Sequence, residues 1–524
     1  MQKLEYIRCC VLFLAGRNVG WFVIGSSIFA SNIGSEHVVG LAGTGAASGL
    51  PMAHYELHAW IVLLLGWVFL PFYMRGNVFT MPEFLEKRFD SKSRWFLSVF
   101  SLVAYVLTKV SVTIYAGGIV VSELLGIPFW YGAIGIVLFT GAYTIIGGMK
   151  AVIYTETLQT VVLIFGSVII TFLGLQEVGG WSGLRETVTA VSPDHFNMWR
   201  PMSDPDFPWT GLLIGGTIVG IWYWCTDQYI VQRTLAAENI KIGRRGAIFG
   251  AYLKLLPILI FLVPGIIAFA LTIQNPEVFH VSKADRAFPM LVKTLLPVGL
   301  KGLVAGGLMA ALMSSLASVF NSCSTIFTID IYKQITSQKT EKELLTTGKI
   351  ATAIIVLLGI IWIPIMEKIG GGVMYQYLQN VQSYIAPPVT AVFLLGIIWK
   401  RVNAKASITT LLAGLFLLVL RLGSEIYYQP QIVSNQSVDS LLYDFATINF
   451  AHMAIFMFIF SVSLCVIVSL STTPPDYKLI AGLSFGTLTP KHKNDLKGSY
   501  DKIDVVLSVL LVIIVIAILC YFTG

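Results

Sequence analysis

Two long apolar runs are each interrupted near the middle by polar residues, and this pattern restricts the fold more than any other. The first interruption covers residues 31–37, SNIGSEH, and the second covers residues 220–228, GIWYWCTDQ. In hydrocarbon an unpaired backbone amide or carbonyl costs several kcal/mol, so a spanning helix that unwinds midway must pair those groups with an ion, a solute or water. The two breaks therefore predict a membrane protein with a binding site at mid-depth.

The composition agrees with a chain that lies almost wholly in the bilayer. Of its 524 residues, 56% are hydrophobic and 12% are charged, and the mean hydropathy is +0.78. In soluble domains roughly 45–50% of residues are apolar and about 25% are charged. The six cysteines show no metal-ligand spacing and are expected to be small buried hydrophobes. The net charge of +7 is expected to mark loops that face the cytoplasm, with no nucleic acid as a partner.

Apolar stretches of spanning length predict an all-α polytopic protein with about 13 spans. The predicted spans are 20–48, 51–74, 95–124, 128–147, 149–176, 209–234, 247–274, 299–332, 346–366, 375–399, 406–426, 450–471 and 503–522. Lys and Arg concentrate in alternate loops, which predicts a cytoplasmic N-terminus and a C-terminus outside a plasma or inner membrane. The sequon at Asn435 then lies outside and is a glycosylation site if the source is eukaryotic.

The two breaks each open a run of five spans, 20–176 and 209–399. An odd number of helices inverts the second copy relative to the first, which is the arrangement of secondary transporters. No His-Glu-x-x-His or Gly-x-Ser-x-Gly motif is present, so an enzyme is not expected. The remaining segments are predicted as a short cytoplasmic N-terminus at 1–19, an extracellular loop at 177–208, and three additional helices in 400–524 with a cytoplasmic loop near 472–502.

Several longer stretches resemble one transporter family. Residues 32–43, NIGSEHVVGLAG, are similar to the first-repeat signature of the sodium/solute symporters, in their sodium/glucose (galactose) cotransporter branch. Further similar stretches are GGMKAV at 147–152, YTETLQT at 154–160, WYWCTDQ at 222–228, SSLAS at 314–318 and FLLGIIWKR at 393–401. The resemblance runs from about Phe13 to the C-terminus and implies a LeuT-type fold of two inverted five-helix repeats. The residues before Leu14 do not match the extra first helix usual in the family, which is expected to be absent through truncation or an alternative start.

The resemblance also implies a sodium site, and oxygen chemistry supports it, because Na⁺ prefers hard oxygen ligands that an unwound backbone and hydroxyls can supply. The implied ligands are the carbonyls of Ala30, Ile33 and Ala311 and the hydroxyls of Ser314 and Ser315. The alternative is that the serine pair only packs and bonds to its own helical turn.

A second sodium site in the family would fall on Glu156, Ser315 and Ser318. Ala317 stands where members with two ions tend to have a hydroxyl, and Glu156 is one methylene longer than the usual Asp. We therefore predict one sodium ion per solute.

The implied sugar site combines polar groups for hydroxyls with flat rings for the C–H faces of a sugar. The polar candidates are Asn32, His37, Glu56, Lys254 and Gln379, and the aromatic ones are Tyr223 and Trp224. Glu56 and Lys254 lie inside predicted spans, where ionisable groups are functional candidates by default, although a structural ion pair is the alternative.

The resemblance further implies a hydrophobic outer gate at Leu41, Tyr55 and Tyr375, and it places Tyr223 at the inner gate as well as in the sugar site. Gly220 is expected to enlarge the pocket on one side. The sequence thus predicts a sodium-coupled sugar symporter, with glucose or galactose as the first candidates. A myo-inositol or polyol symporter and a sodium-conducting sugar sensor on the same fold are the alternatives.

Overall fold

The structure is a computed structural model that describes residues 15–34, 36–279, 283–336, 340–369, 374–434 and 436–523. For residues 145–160 it describes the course of the helix but not the side chains. The N-terminal segment before Ala15 and the Asn435 sequon lie outside the described residues. The principal helices are α1 (Trp21–Asn32), α2 (Ala42–Ser48), α3 (Ala53–Gly76), α4 (Ser91–Leu125), α5 (Phe129–Glu177), α6 (Gly211–Thr226), α7 (Gln228–Leu235), α8 (Ile240–Gln274), α9 (Val298–Ile335), α10 (Glu341–Ile369), α11 (Met374–Ile398), α12 (Ala404–Val433), α13 (Phe450–Ser471) and α14 (Lys502–Tyr521).

The described part of the chain is helical, with one isolated backbone bridge between Val19 and Ala237. Within it, nine helices are long and apolar enough to cross a membrane. A tenth is added if Val161–Glu177 and Gly180–Val191, which meet at a 70° bend, count as one span. The broken segments are too short to be counted in this way, which accounts for part of the difference from about 13 predicted spans. The prediction of an all-α polytopic membrane protein is confirmed.

Both helix breaks lie where the sequence predicts them. Helix α1 ends at Asn32, and Ile33 leaves the helical region with φ −81° and ψ 84°. The chain resumes as a π-helix, Glu36–Leu41, that leads into α2. At the second break Asp227 is extended, with φ −78° and ψ 127°, between α6 and α7.

One predicted boundary is wrong. The sequence predicts separate spans at 128–147 and 149–176, whereas the structure has a single helix, α5, over the whole of Phe129–Glu177. The predicted boundary falls at Gly147 and Gly148. Glycine permits a break but also adopts helical angles, so a glycine pair alone does not terminate a helix.

Close glycine contacts hold α1 and α2, the helices on either side of the first break, against α8. A methyl group on Gly25 of α1 would lie 2.8 Å from the carbonyl oxygen of Gly246, and one on Gly265 would lie 2.0 Å from the carbonyl oxygen of Ala42. Small residues at helix contacts let backbones approach closely, which is how helices pack in a membrane, where no hydrophobic drive brings them together. The first break is therefore fixed on both sides by one long helix.

Polar side chains set where several helices begin. Asn239 accepts a hydrogen bond from the amide of Ile242 at 3.0 Å and Asn403 accepts one from Ala406 at 3.0 Å. These are N-cap contacts, which pair amides that a helix start leaves free.

Both predicted loops contain a helix. The predicted loop at 177–208 contains the helix Gly180–Val191, and the predicted loop near 472–502 contains the helix Pro490–Lys497.

Candidate functional site

A small cavity lies where the first break meets α3, α4, α6, α8 and α11. Its volume is about 40 Å³. It is lined by Asn32, His37, Tyr55, His58, Lys109, Val219, Gly220, Tyr223, Trp224, Lys254, Tyr375, Leu378, Gln379 and Gln382. Every residue predicted to contact sugar lines it except Glu56, which lies behind the wall, and every predicted gate residue lines it except Leu41.

Glu56 is the centre of a hydrogen-bonded cluster behind the cavity wall. It is fully buried, and its carboxylate accepts from Lys254 Nζ at 2.5 Å and from the Tyr375 hydroxyl at 3.0 Å. His37 Nε2 lies 3.3 Å from Glu56 Oε1 and 3.3 Å from Asn32 Nδ2. The ion pair that sequence reasoning gave as the structural alternative is therefore formed. The cluster also connects residues of four segments around the cavity.

Aromatic rings and one unpaired amide oxygen complete the lining. Lys254 Nζ lies 5.3 Å from the centre of the Trp224 ring. The rings of Tyr223 and Trp224 pack edge to face, with 4.9 Å between their centres. Gln379 Oε1 is buried and has no hydrogen-bond partner within the described residues. The cavity thus offers a cation, an amide and an aromatic face, which is what a hydroxylated ring needs.

Lys109 is a cavity residue that sequence reasoning missed. It lies within α4, is 3% exposed, and donates from Nζ to the Tyr223 hydroxyl at 2.9 Å. Its ammonium also lies 4.0 Å from the centre of the Tyr223 ring. The signal was available, because an ionisable residue inside an apolar span is a functional candidate.

The expectation that Gly220 enlarges the pocket is wrong. A methyl group on Gly220 would lie 2.5 Å from Ile61 Cδ1 and 2.7 Å from Nδ1 of His58, so these side chains occupy the space. His58 stands in a turn that interrupts α3 and lines the cavity. Sequence reasoning missed it because the facing residue is distant along the chain.

The predicted sodium ligands lie at the end of α1, just beyond it at Ile33, and on α9, and the two helices contact one another. The Gly34 amide, which a continued helix would direct to the Ala30 carbonyl, donates to Asn32 at 3.0 Å. The hydroxyls of Ser314 and Ser315 are buried and have no hydrogen-bond partner within the described residues. The alternative that these serines bond to their own turn is therefore not what the structure has.

The residues suggested for a second ion can be located only in part. Ser315 and Ser318 are both buried on α9, and Ala317 lies between them. The side chain of Glu156 falls outside those that the structure describes. One ion per solute remains a prediction.

Protein groups close the second break apart from one oxygen, because Asp227 Oδ2 is buried and has no hydrogen-bond partner within the described residues. The Asp227 carboxylate accepts from the Tyr105 hydroxyl and from the Tyr229 amide, the latter at 3.2 Å. The Tyr73 hydroxyl donates to the Cys225 carbonyl at 2.6 Å. The Tyr229 hydroxyl donates to the carbonyl oxygen of Ser31, which joins the second break to the first.

Comparison with known proteins gives one family. A model described as the sodium:solute symporter family matches residues 12–414. Sodium/glucose cotransporter 1 of Oryctolagus cuniculus is 40% identical over 500 residues, which cover 89% of this chain and 75% of that protein. Sodium/myo-inositol cotransporter 2 of Bos taurus is also 40% identical, over 505 residues that cover 91% of this chain and 74% of that protein.

Solved structures agree in fold. A Na⁺-coupled sialic acid symporter in a substrate-bound outward-open state has a TM-score of 0.73 and 23% identity, with 89% of this chain and 93% of that chain covered. A nucleobase-cation-symport-1 family transporter in a closed conformation has a TM-score of 0.52 and 11% identity, with 92% and 96% covered. At such identities these structures support the fold alone, which is the predicted LeuT-type arrangement.

Proposed function

Because the chain belongs to the sodium:solute symporter family, we propose that it couples Na⁺ entry to uptake of a sugar, with glucose or galactose as the first candidates. Myo-inositol is the second candidate, since the relative named for it is as similar as the relative named for glucose. Sodium is the co-transported ion and the chain is a multi-pass membrane protein. The distribution of Lys and Arg supports a cytoplasmic N-terminus and a C-terminus outside.

The observation that carries the sugar proposal is the cavity at the first break. Its wall combines Lys254, the unpaired Gln379 Oε1 and the rings of Tyr223 and Trp224. A sugar has hydroxyls that donate and accept and C–H faces that pack on rings, so each wall group has a partner on such a solute. Glu56 acts from behind, holding the Lys254 ammonium and the Tyr375 hydroxyl in place.

The size of the cavity supports alternating access. About 40 Å³ is well below the roughly 300 Å³ at the lower end of ligand pockets. The solute therefore enters another conformation, in which Tyr55 and Tyr375 on one side, or Tyr223 on the other, move away from the cavity. Rocking of one inverted repeat against the other provides such a movement in transporters of this architecture.

The sodium proposal rests on α1 and α9. The carbonyls of Ala30, Ile33 and Ala311 and the hydroxyls of Ser314 and Ser315 would bind the ion and join the first repeat to the second. Neutral oxygens hold Na⁺ without trapping it, since no carboxylate has to be desolvated.

The driving force is sufficient with one ion. A tenfold sodium gradient is worth about 1.4 kcal/mol, and 100 mV adds about 2.3 kcal/mol per charge. Together these sustain a solute gradient of about 500-fold, because each 1.4 kcal/mol is a factor of ten.

The test is uptake by the purified full chain in liposomes. Radiolabelled glucose, galactose and myo-inositol are supplied with a sodium gradient and, as a control, with the same gradient of choline. We expect sodium-dependent accumulation above the outside concentration, with the preferred solute competing best. Sugar-evoked sodium current without accumulation would replace the symporter with a sensor, and equal uptake in choline would remove sodium coupling.

A further inference from the structure

His58 occupies the wall of the cavity that Gly220 leaves free. The residue is 5% exposed, and its ring lies beside that of Tyr55 at 5.3 Å between ring centres. A methyl group on Gly220 would approach Nδ1 to 2.7 Å and Cε1 to 3.0 Å. The imidazole therefore depends on the absence of a side chain at Gly220 for its position.

Among the buried histidines that the structure describes, His58 alone makes no hydrogen bond to another protein group. His54 Nε2 lies 3.0 Å from the Met198 carbonyl, and His195 Nε2 lies 2.9 Å from the Gly45 carbonyl. His37 lies 3.3 Å from Glu56. Within the described residues, neither ring nitrogen of His58 has a hydrogen-bond partner, although the ring is nine-tenths buried and lines the cavity. An imidazole that lines a cavity and has no protein partner can form its hydrogen bonds with a molecule in that cavity, which points to a partner that comes and goes.

We propose that His58 binds the solute directly, and that His58 and Gly220 together form a specificity-determining pair. This inference rests on the proposed function and names a contact that the family resemblance did not supply. One imidazole nitrogen donates and the other accepts, so the ring can serve either role toward a hydroxyl. The solute hydroxyl that faces His58 is thereby selected, because a solute without it leaves the imidazole unpaired.

The main test compares His58→Phe with wild type against one panel of solutes. Phe keeps a planar ring and removes both nitrogens, and the panel is glucose with its monodeoxy analogues, measured as sodium-dependent binding to the purified full chain. We expect glucose affinity to fall about ten-fold. One deoxy analogue, which lacks the hydroxyl that faces His58, should bind wild type and variant alike.

Two results would overturn the proposal. One is unchanged glucose affinity in His58→Phe, and the other is a loss of equal factor for every analogue, which would indicate a packing role. Thermal stability without solute is measured on the same samples, and His58→Gln, which retains hydrogen bonding, should recover part of the affinity. If wild type binds no member of the panel and no myo-inositol with sodium, the proposed function itself fails, so the two failures are distinguished.

Gly220→Ala gives an independent test. The new methyl group would displace the imidazole, so glucose affinity should fall by a factor similar to that of His58→Phe, and the double variant should fall little further. Gly216→Ala is the matched control on the same helix, because its methyl group would meet His58 Nε2 at an ordinary 3.6 Å. If the two factors by which glucose affinity falls multiplied in the double variant, the two residues would act separately. The proposal that they form a pair would then be wrong.

Discussion

The two helix breaks look alike in sequence and differ in how the structure completes them. At the first, the Gly34 amide turns back to the carbonyl of Asn32, and the hydroxyls of Ser314 and Ser315, on the contacting helix α9, have no hydrogen-bond partner within the described residues. At the second, the amide of Asp227 donates to the Trp222 carbonyl at 3.0 Å, and its carboxylate caps the helix that follows. A break in an apolar span therefore indicates either a ligand or an internal cap, and inverted repeats need not use both breaks in the same way.

Hydrogen bonds between the two breaks indicate what the second break does for the first. The Tyr229 hydroxyl donates to the Ser31 carbonyl, and Arg233 Nε donates to the Ser31 hydroxyl at 3.0 Å. The closed second break is thus an anchor for the end of α1. Since the proposed sodium ligands Ala30 and Ile33 lie on either side of Ser31 in the chain, we infer that the second break supports the proposed ion site without contributing to it.

Ser315→Ala tests the open break most severely and has the largest expected effect. Removing one of about five oxygens leaves Na⁺ under-coordinated, so sodium-driven accumulation should be lost while expression and thermal stability remain. The measurement is uptake into liposomes over a range of sodium concentrations. Ser322→Ala is the matched control, because that hydroxyl bonds to the Ser318 carbonyl at 3.0 Å on the same helix and should be dispensable. Accumulation by Ser315→Ala at the normal sodium dependence would show the site to be misassigned.

Glu56→Gln tests whether the charged cluster beside the open break serves the solute or the fold. The amide both donates and accepts where the carboxylate only accepts, so solute affinity should fall about ten-fold or more, with sodium affinity much less changed. Lys254 also loses its counter-charge, so thermal stability should fall.

The double variant Glu56→Gln/Lys254→Gln separates these effects. It removes the unpaired charge, so thermal stability without ligand should return while solute affinity stays low. If stability and solute affinity returned together, the pair would be structural and the solute contact would have to lie elsewhere.

Asp227→Ala tests the closed break, where we expect the reverse of Ser315→Ala: stability should fall while sodium coupling remains. Loss of the cap on α7 is expected to cost about 1–2 kcal/mol of stability, with apparent sodium affinity little changed. Thermal unfolding and sodium titration of uptake measure the two. Asn239→Ala removes a comparable cap from the start of α8, outside either break, and should also leave transport intact. A large loss of sodium affinity at full stability would mean that both breaks bind the ion.

The smallest effect concerns the number of ions. With one Na⁺ per solute, the ratio of inside to outside solute at zero net flux and zero membrane potential should follow the sodium ratio to the first power. A dependence on its square would establish two ions and bring Glu156, Ser315 and Ser318 into a second site. Ala317→Thr adds a hydroxyl next to Ser315 and Ser318. If the second site lacks only this oxygen, the variant should transport more sodium ions per solute than wild type.

Local pattern predicted some parts of this molecule and could not predict others. The breaks near Asn32 and at Asp227 follow from polar residues in apolar runs, because hydrocarbon enforces that signal at each position separately. The boundary placed at Gly147 and Gly148 was wrong, since glycine permits a turn without requiring one. Candidate residues such as Glu56 and Lys254 were recognisable because a charge inside a span is costly wherever it occurs.

What the sequence determined by itself is therefore the class of protein, the position of its two breaks, the family and most of the residues that surround one cavity. Only the tertiary structure decided that Glu56 lies behind the wall, that Lys109 reaches Tyr223, that His58 fills the space beside Gly220, and that one break is capped while the other is open. The physical reason is that hydrophobic transfer acts on each residue alone, whereas hydrogen-bond partners and close packing depend on which helices meet, and helix contacts join residues far apart in the chain.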